Sequence, residues 1–129
     1  MKKEIIIIFF IVITIIVAHA ITQIYTQNFF DSVCEDLSNI ENKLFSESPD
    51  SEKLKNDINK IQDKWNKKYD YFACYVEHDE LEKVKTQLIS IEANIKVGDY
   101  DKAIDEAERC IFILKHIEEK DSLKIVNIF

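Results

Sequence analysis

The residues whose types most suggest chemistry are Glu77-His78-Asp79-Glu80, three acids around an imidazole. Their spacing argues against a shared site. Consecutive residues on a helix point in different directions, so the four cannot converge on one ion. Acids at a helix start are also favoured by its positive end, with no ligand needed. His116 and Glu119 lie three residues apart and could share an ion on one helical face. The sequence has no Glu-x-x-His pair of the kind that builds di-iron bundles. Cys34, Cys74 and Cys110 are spaced by 40 and 36 residues, which fits no zinc pattern. With a single glycine, Gly98, the chain has neither a phosphate loop nor a nucleophile elbow. The expectation is a protein without a catalytic, metal or cofactor site, and not an enzyme.

Surface recognition is the better prospect. Trp65, Tyr69, Tyr71, Phe72 and Tyr75 form the densest aromatic cluster. Trp65, Tyr69 and Phe72 fall on the apolar stripe of a helix and are expected in the core. Tyr71 and Tyr75 lie to one side, in line with Lys64 and Lys68 and close to Lys67. Together with Ile128 and Phe129 of the apolar ending Leu123–Phe129, this strip is the candidate partner surface.

The elements that carry these residues follow from composition. One Gly and one Pro in 129 residues leave little turn chemistry for a many-stranded fold. A content of 32% charged and 47% apolar residues suits amphipathic helices and argues against disorder. The fold class expected is all-α: an N-terminal transmembrane helix continuing into an antiparallel three- to four-helix bundle. The formal net charge is −7, and the first four residues, Met1-Lys2-Lys3-Glu4, are the basic exception. An acidic domain with scattered lysines repels phosphate backbones, so nucleic acid is not an expected partner.

From Ile5 to Phe30 there is no Asp, Glu, Lys or Arg. About 20 apolar residues are enough to cross a hydrocarbon core of roughly 30 Å. Lys2 and Lys3 should hold the N-terminus in the cytoplasm and send the rest out. Residues 1–27 are thus read as the anchor and 28–129 as an extracytoplasmic bundle. Ala18-His19-Ala20 after an apolar run also looks like a signal-peptidase site. Ile21, Ile24, Tyr25, Phe29 and Phe30 extend the apolar character beyond it and favour a retained anchor. His19 is expected near the outer interface. An oxidising exterior permits one disulfide among three possible cysteine pairs, although packing as small apolar side chains is the expected role.

Stripes at spacings of 3 and 4 mark four helices. Phe30, Val33, Leu37, Ile40 and Leu44 define the first, which ends at 46–50. Ser48 is expected to cap the second, with Pro49 at its first position and Asp50 and Glu52 in its positive first turn. Leu54, Ile58, Ile61, Trp65, Tyr69, Phe72 and Val76 line that second helix, with a pause near Asp70. Leu81, Val84, Leu88, Ile91 and Ile95 line the third, closed by Gly98 in the left-handed conformation. Asp99 should cap the fourth, whose stripe runs from Tyr100 to Ile117. Short connections favour an up-and-down arrangement.

The Met-Lys-Lys start with its hydrophobic span, Trp65, His78-Asp79-Glu80-Leu81, the Asp99…Ala103 turn and Asn127-Ile128-Phe129 resemble a family of short bacterial membrane-anchored proteins known as domain of unknown function 4363. The resemblance implies a helical exported domain, brings no activity, and suits an accessory role beside a multi-pass protein. The function expected is a non-enzymatic interaction subunit in the cell membrane, in contact with lipid and another membrane protein. Homo-oligomerisation is left open. The alternative is an extracytoplasmic ligand-sensing or secreted binding bundle.

Overall fold

The structure, a computed structural model, describes residues 1–126, with side chains as far as Ser122. The described residues form four helices: α1 (Lys2–Leu44), α2 (Ser51–Ala73), α3 (His78–Val97) and α4 (Tyr100–Val126). No strand occurs among them.

α1 is a single unbroken helix of 43 residues, about 65 Å long at 1.5 Å per residue. Residues 1–21 are exposed throughout, and no other helix packs on them. From Thr26 the pattern changes. Thr26, Phe30, Val33, Leu37, Ile40 and Leu44 are buried at helical spacing, with Cys34 beside them. This half of α1 is one wall of the bundle. It packs against α2 and α4, and α3 packs against the same two helices, so the four stand at the corners of a square. Two contacts along each seam fix α1–α2 and α2–α3 as antiparallel, and the bundle end of α1 nearest the span meets the end of α4. Lys43 meets Asp57 while Lys64 meets Asp36 across α1 and α2. Gln62 reaches Glu92 and Tyr69 reaches Glu82 across α2 and α3. Gln23 reaches Asp121 across α1 and α4.

The core follows the four stripes closely. Leu54, Ile58, Ile61, Trp65 and Phe72 are buried on α2; Leu81, Val84, Leu88, Ile91 and Ile95 on α3; Ala103, Ala107, Cys110, Leu114 and Ile117 on α4. Tyr69 and Tyr100 are only partly buried and pack at its edge. Gly98 has φ 76°, the left-handed value that a glycine adopts without a Cβ penalty, and ends α3. The Asp99 carboxylate accepts from the Lys102 amide at 3.3 Å and caps α4.

Two expectations are corrected. The cap of α2 is Asp50, not Ser48, and Pro49 precedes the helix. The Asp50 carboxylate accepts from the amides of Glu52 and Lys53 at 3.1 and 3.2 Å. A charged acceptor that satisfies two free amides at the positive end outcompetes a neutral hydroxyl two residues earlier. Nor does α2 pause at Asp70. Trp65 and Phe72 are buried on either side of it, and their packing carries the helix to Ala73 while Asp70 points to solvent.

Candidate functional site

The exposed half of α1 projects from one end of the bundle, here called the base. At the base α2 ends, α3 begins and α4 finishes. The sequence-predicted strip divides there. Lys64 turns inward: it pairs with Asp36 at 2.8 Å, touches the Ser32 hydroxyl, and lies 5.7 Å over the Phe29 ring. Tyr75 also turns inward. The Thr26 hydroxyl donates to the Thr22 carbonyl at 2.8 Å, so the Tyr75 hydroxyl donates to Thr26 Oγ1 at 2.6 Å. Burial holds the Tyr75 phenol protonated well above its ordinary range. Lys68 and Tyr71 stay at the surface. Lys68 Nζ lies 5.4 Å over Tyr25, and Tyr71 meets Tyr25 edge to face at 5.3 Å. Ile128 and Phe129, the other half of the predicted surface, lie outside the described residues, as do the Leu123–Val126 side chains.

Beneath the strip the aromatic rings form one connected group. Phe29 meets Phe72 at 4.9 Å, Phe30 meets Trp65 at 5.7 Å, and Tyr71 meets Tyr75 at 5.5 Å. Trp65 is fully buried with its indole N–H unpartnered among the described residues. Packing, not hydrogen bonding, holds it.

A cleft of about 280 Å³ opens on the other side of α1, between α1, Tyr75 and the end of α4. Its walls include His19, Thr22, Gln23, Thr26, Glu118 and Asp121. The Gln23 amide donates to the Asp121 carbonyl at 3.3 Å across it. Burial, with the charge of Asp31 second, pushes the Glu118 carboxyl up to about 7. Its Oε1 is buried without a hydrogen-bond partner among the described residues. His19 sits exposed at the cleft mouth.

The acid–imidazole run at the start of α3 becomes a set of ties between helices. The Tyr69 hydroxyl donates to Glu82 at 2.5 Å, so His78 Nδ1, 3.1 Å away, donates to the phenol oxygen. Partial burial and this bond push the Tyr69 phenol up to about 12, and the same bond lowers the Glu82 carboxyl. Glu80 is buried beside Lys83 at 3.2 Å and Lys120 at 3.9 Å, and Lys120 also holds Glu77 at 3.0 Å. His116 stacks on Phe112 at 6.4 Å. Among the described residues no three His, Cys, Asp or Glu side chains gather where they could hold a metal ion.

The three thiols are free in this structure, with Cys34 and Cys110 buried and Cys74 exposed. Burial raises Cys34 to about 11 and Cys110 to about 12, so neither supplies thiolate at neutral pH.

Sequence reasoning missed Tyr25, Thr26 and Glu118. Thr26 had a signal, since it precedes Phe30 by one turn on the stripe. Tyr25 and Glu118 had none, because their surroundings come from other helices.

α1 is the described helix long and apolar enough to span a membrane, and stands as a candidate single span or signal anchor. No curated protein and no solved structure matches the chain. The family described as Domain of unknown function (DUF4363) matches residues 20–128, most of the chain and the whole of the bundle. The chain belongs to that family.

Proposed function

We propose that the chain is a non-enzymatic, membrane-anchored interaction subunit. Its N-terminus is cytoplasmic, the first half of α1 crosses the bilayer, and the bundle stands outside the cytoplasm as accessory to a larger membrane protein. The observation that carries this reading is the contrast within α1. Residues 1–21 are apolar apart from the basic start and a few polar side chains, and are exposed on every side. Thr14 and Thr22 donate to carbonyls one turn back, so their hydroxyls are satisfied within the helix. That suits hydrocarbon, where an unpaired polar group is costly. Ile5–Phe10 alone would place six large apolar side chains in water, which a soluble monomer avoids. Because the helix is continuous, whatever holds the span also fixes the position of the bundle.

The test is cross-linking in native membranes with a C-terminally tagged chain, followed by mass spectrometry of what is captured. Recovery of one multi-pass protein with intact N-terminal peptides of this chain is the expected outcome. Recovery of the chain alone, beginning at Ile21, contradicts it. A second reading, a ligand-sensing or secreted binding bundle, is favoured by the cleft at Glu118. It predicts that small molecules screened against the full chain raise its melting temperature, and that Glu118→Gln removes the effect.

A further inference from the structure

The base is electrically two-sided. On the α3 and α4 side Lys120 pairs with Glu77, and Lys83 and Lys120 with Glu80, while the buried Glu118 keeps an oxygen without a partner among the described residues. On the α2 side three lysines cluster, with the exposed Asp63 and Asp70 beside them. Lys64, Lys67 and Lys68 fall within about one turn, and Lys64 is committed to Asp36. Neither Lys67 nor Lys68 has an ion-pair partner among the described residues. A shallow groove runs beside them, walled by Phe29, Lys60, Lys64, Lys67 and Lys68, with Asp63 the acid among its walls. Below it, Tyr25 and Tyr71 are 39% and 43% exposed, although their rings pack together. Tyr25 directly follows Ile24, where the apolar run of α1 gives way to the bundle.

We propose that Lys67, Lys68, Tyr25 and Tyr71 form a ledge that binds the phosphates of anionic phospholipid headgroups, so that the bundle leans on the bilayer by its α2 edge. The proposal rests on α1 crossing the membrane. A tyrosine pair at the end of an apolar span matches the interfacial level, where ring and hydroxyl meet different media. Two unpaired ammonium groups about a turn above it lie within a Debye length of the headgroups. Each lysine so placed strengthens attachment to an anionic surface by about fivefold. Lys68, already over the Tyr25 ring, is held in position. The occupant is lipid rather than protein because the ledge is continuous with the span and its charge complements the headgroups. The span and the rest of the surface remain for the protein partner.

The chain carries its own reporter. Cys74, in the turn after α2, is exposed, whereas Cys34 and Cys110 are buried. The full chain is placed in nanodiscs of phosphatidylcholine alone or mixed with phosphatidylglycerol, and Cys74 alkylation by an aqueous maleimide is timed. The expected result is alkylation at least fivefold slower in the anionic discs. Lys67→Gln with Lys68→Gln, checked for unchanged helix content, should restore the faster rate, as should 0.5 M salt. Equal rates in both discs overturn the proposal. So does protection that ignores both salt and the glutamine variant. Protection seen only in native membranes also overturns it and makes the occupant a protein. A chain that washes off the discs in carbonate overturns the anchor itself, an outcome distinct from loss of the ledge alone.

Discussion

The two halves of α1 are built from the same helix and the same kind of residue, yet they are apolar in different ways. The first is apolar all round. Ile5, Ile6, Ile7 and Ile8 cover four successive directions about the axis, and all remain exposed. The second is apolar on one stripe, with Phe30, Leu37 and Ile40 at most 1% exposed while Asp31, Glu35 and Asn39 face solvent. A stripe is what a protein core demands, and an even coat is what lipid demands. The periodicity of the apolar residues, more than their number, separates the half that builds the core from the half that is a candidate span.

The largest expected effect belongs to the bundle half. Trp65→Ala removes the centre of the aromatic group and should cost about 3–5 kcal/mol. Denaturant unfolding of the full chain in detergent measures it, and membrane retention should be unchanged. Trp65→Phe should cost clearly less, since it also removes the unpartnered indole N–H. The converse substitution is Ile13→Arg in the middle of the exposed half. A charge at that depth costs about 3 kcal/mol of insertion, so carbonate extraction should release the variant while its bundle keeps its unfolding midpoint. If either substitution moved both readouts together, the two halves would not be separable.

A smaller effect sharpens the comparison within the bundle. The α1–α2 seam is tied by opposite charges, Lys43–Asp57 at 2.5 Å and Lys64–Asp36 at 2.8 Å. The α1–α4 seam sets acids near acids, Asp31 near Glu118 and Glu108 near Glu41, whose carboxyl burial also raises. The folded state holds Glu118 at about 7 against an ordinary 4.5, so between those values it binds more protons than the unfolded chain. Stability from this group is full below about 4.5 and is lost as pH rises through about 7. Glu118→Gln should therefore stabilise the chain at pH 8, by about 1 kcal/mol after allowance for solvent screening. It should change little at pH 4. Thermal unfolding of both chains at the two pH values reads this directly, and a larger gain at low pH would reverse the sign. Asp50→Ala, which removes the α2 cap, should cost about 1 kcal/mol in the same thermal unfolding.

These expectations mark what was legible in the sequence. Stripes and punctuation are local, so Leu81 to Ile95 and Gly98 announced α3 and its end. The α2 cap was misplaced because Ser48 and Asp50 both offer an acceptor, and only the competition for two amides decides between them. Asp70 looked like a break because its intrinsic helix propensity is poor, but Trp65 and Phe72 override it from the core. The site was less legible still. The helical spacing grouped Lys64, Lys68, Tyr71 and Tyr75 on α2, but which of them face outward depends on α1. Asp36 and Thr26 draw Lys64 and Tyr75 in, and Tyr25 meets Tyr71 across a gap of 46 positions. Registers between helices are set by packing, and no local pattern encodes them.

The measurement that tests the account most directly is topology in intact cells. Ser48→Cys, at the far end of the bundle, and Lys3→Cys, at the N-terminus, are each made in a Cys74→Ser background and exposed to a membrane-impermeant maleimide. The account predicts that Ser48→Cys is labelled at once and Lys3→Cys only after permeabilisation, with the whole chain, residue 1 onward, in the carbonate-resistant pellet. Labelling of Ser48→Cys only after permeabilisation, or a soluble chain that starts at Ile21, would contradict it.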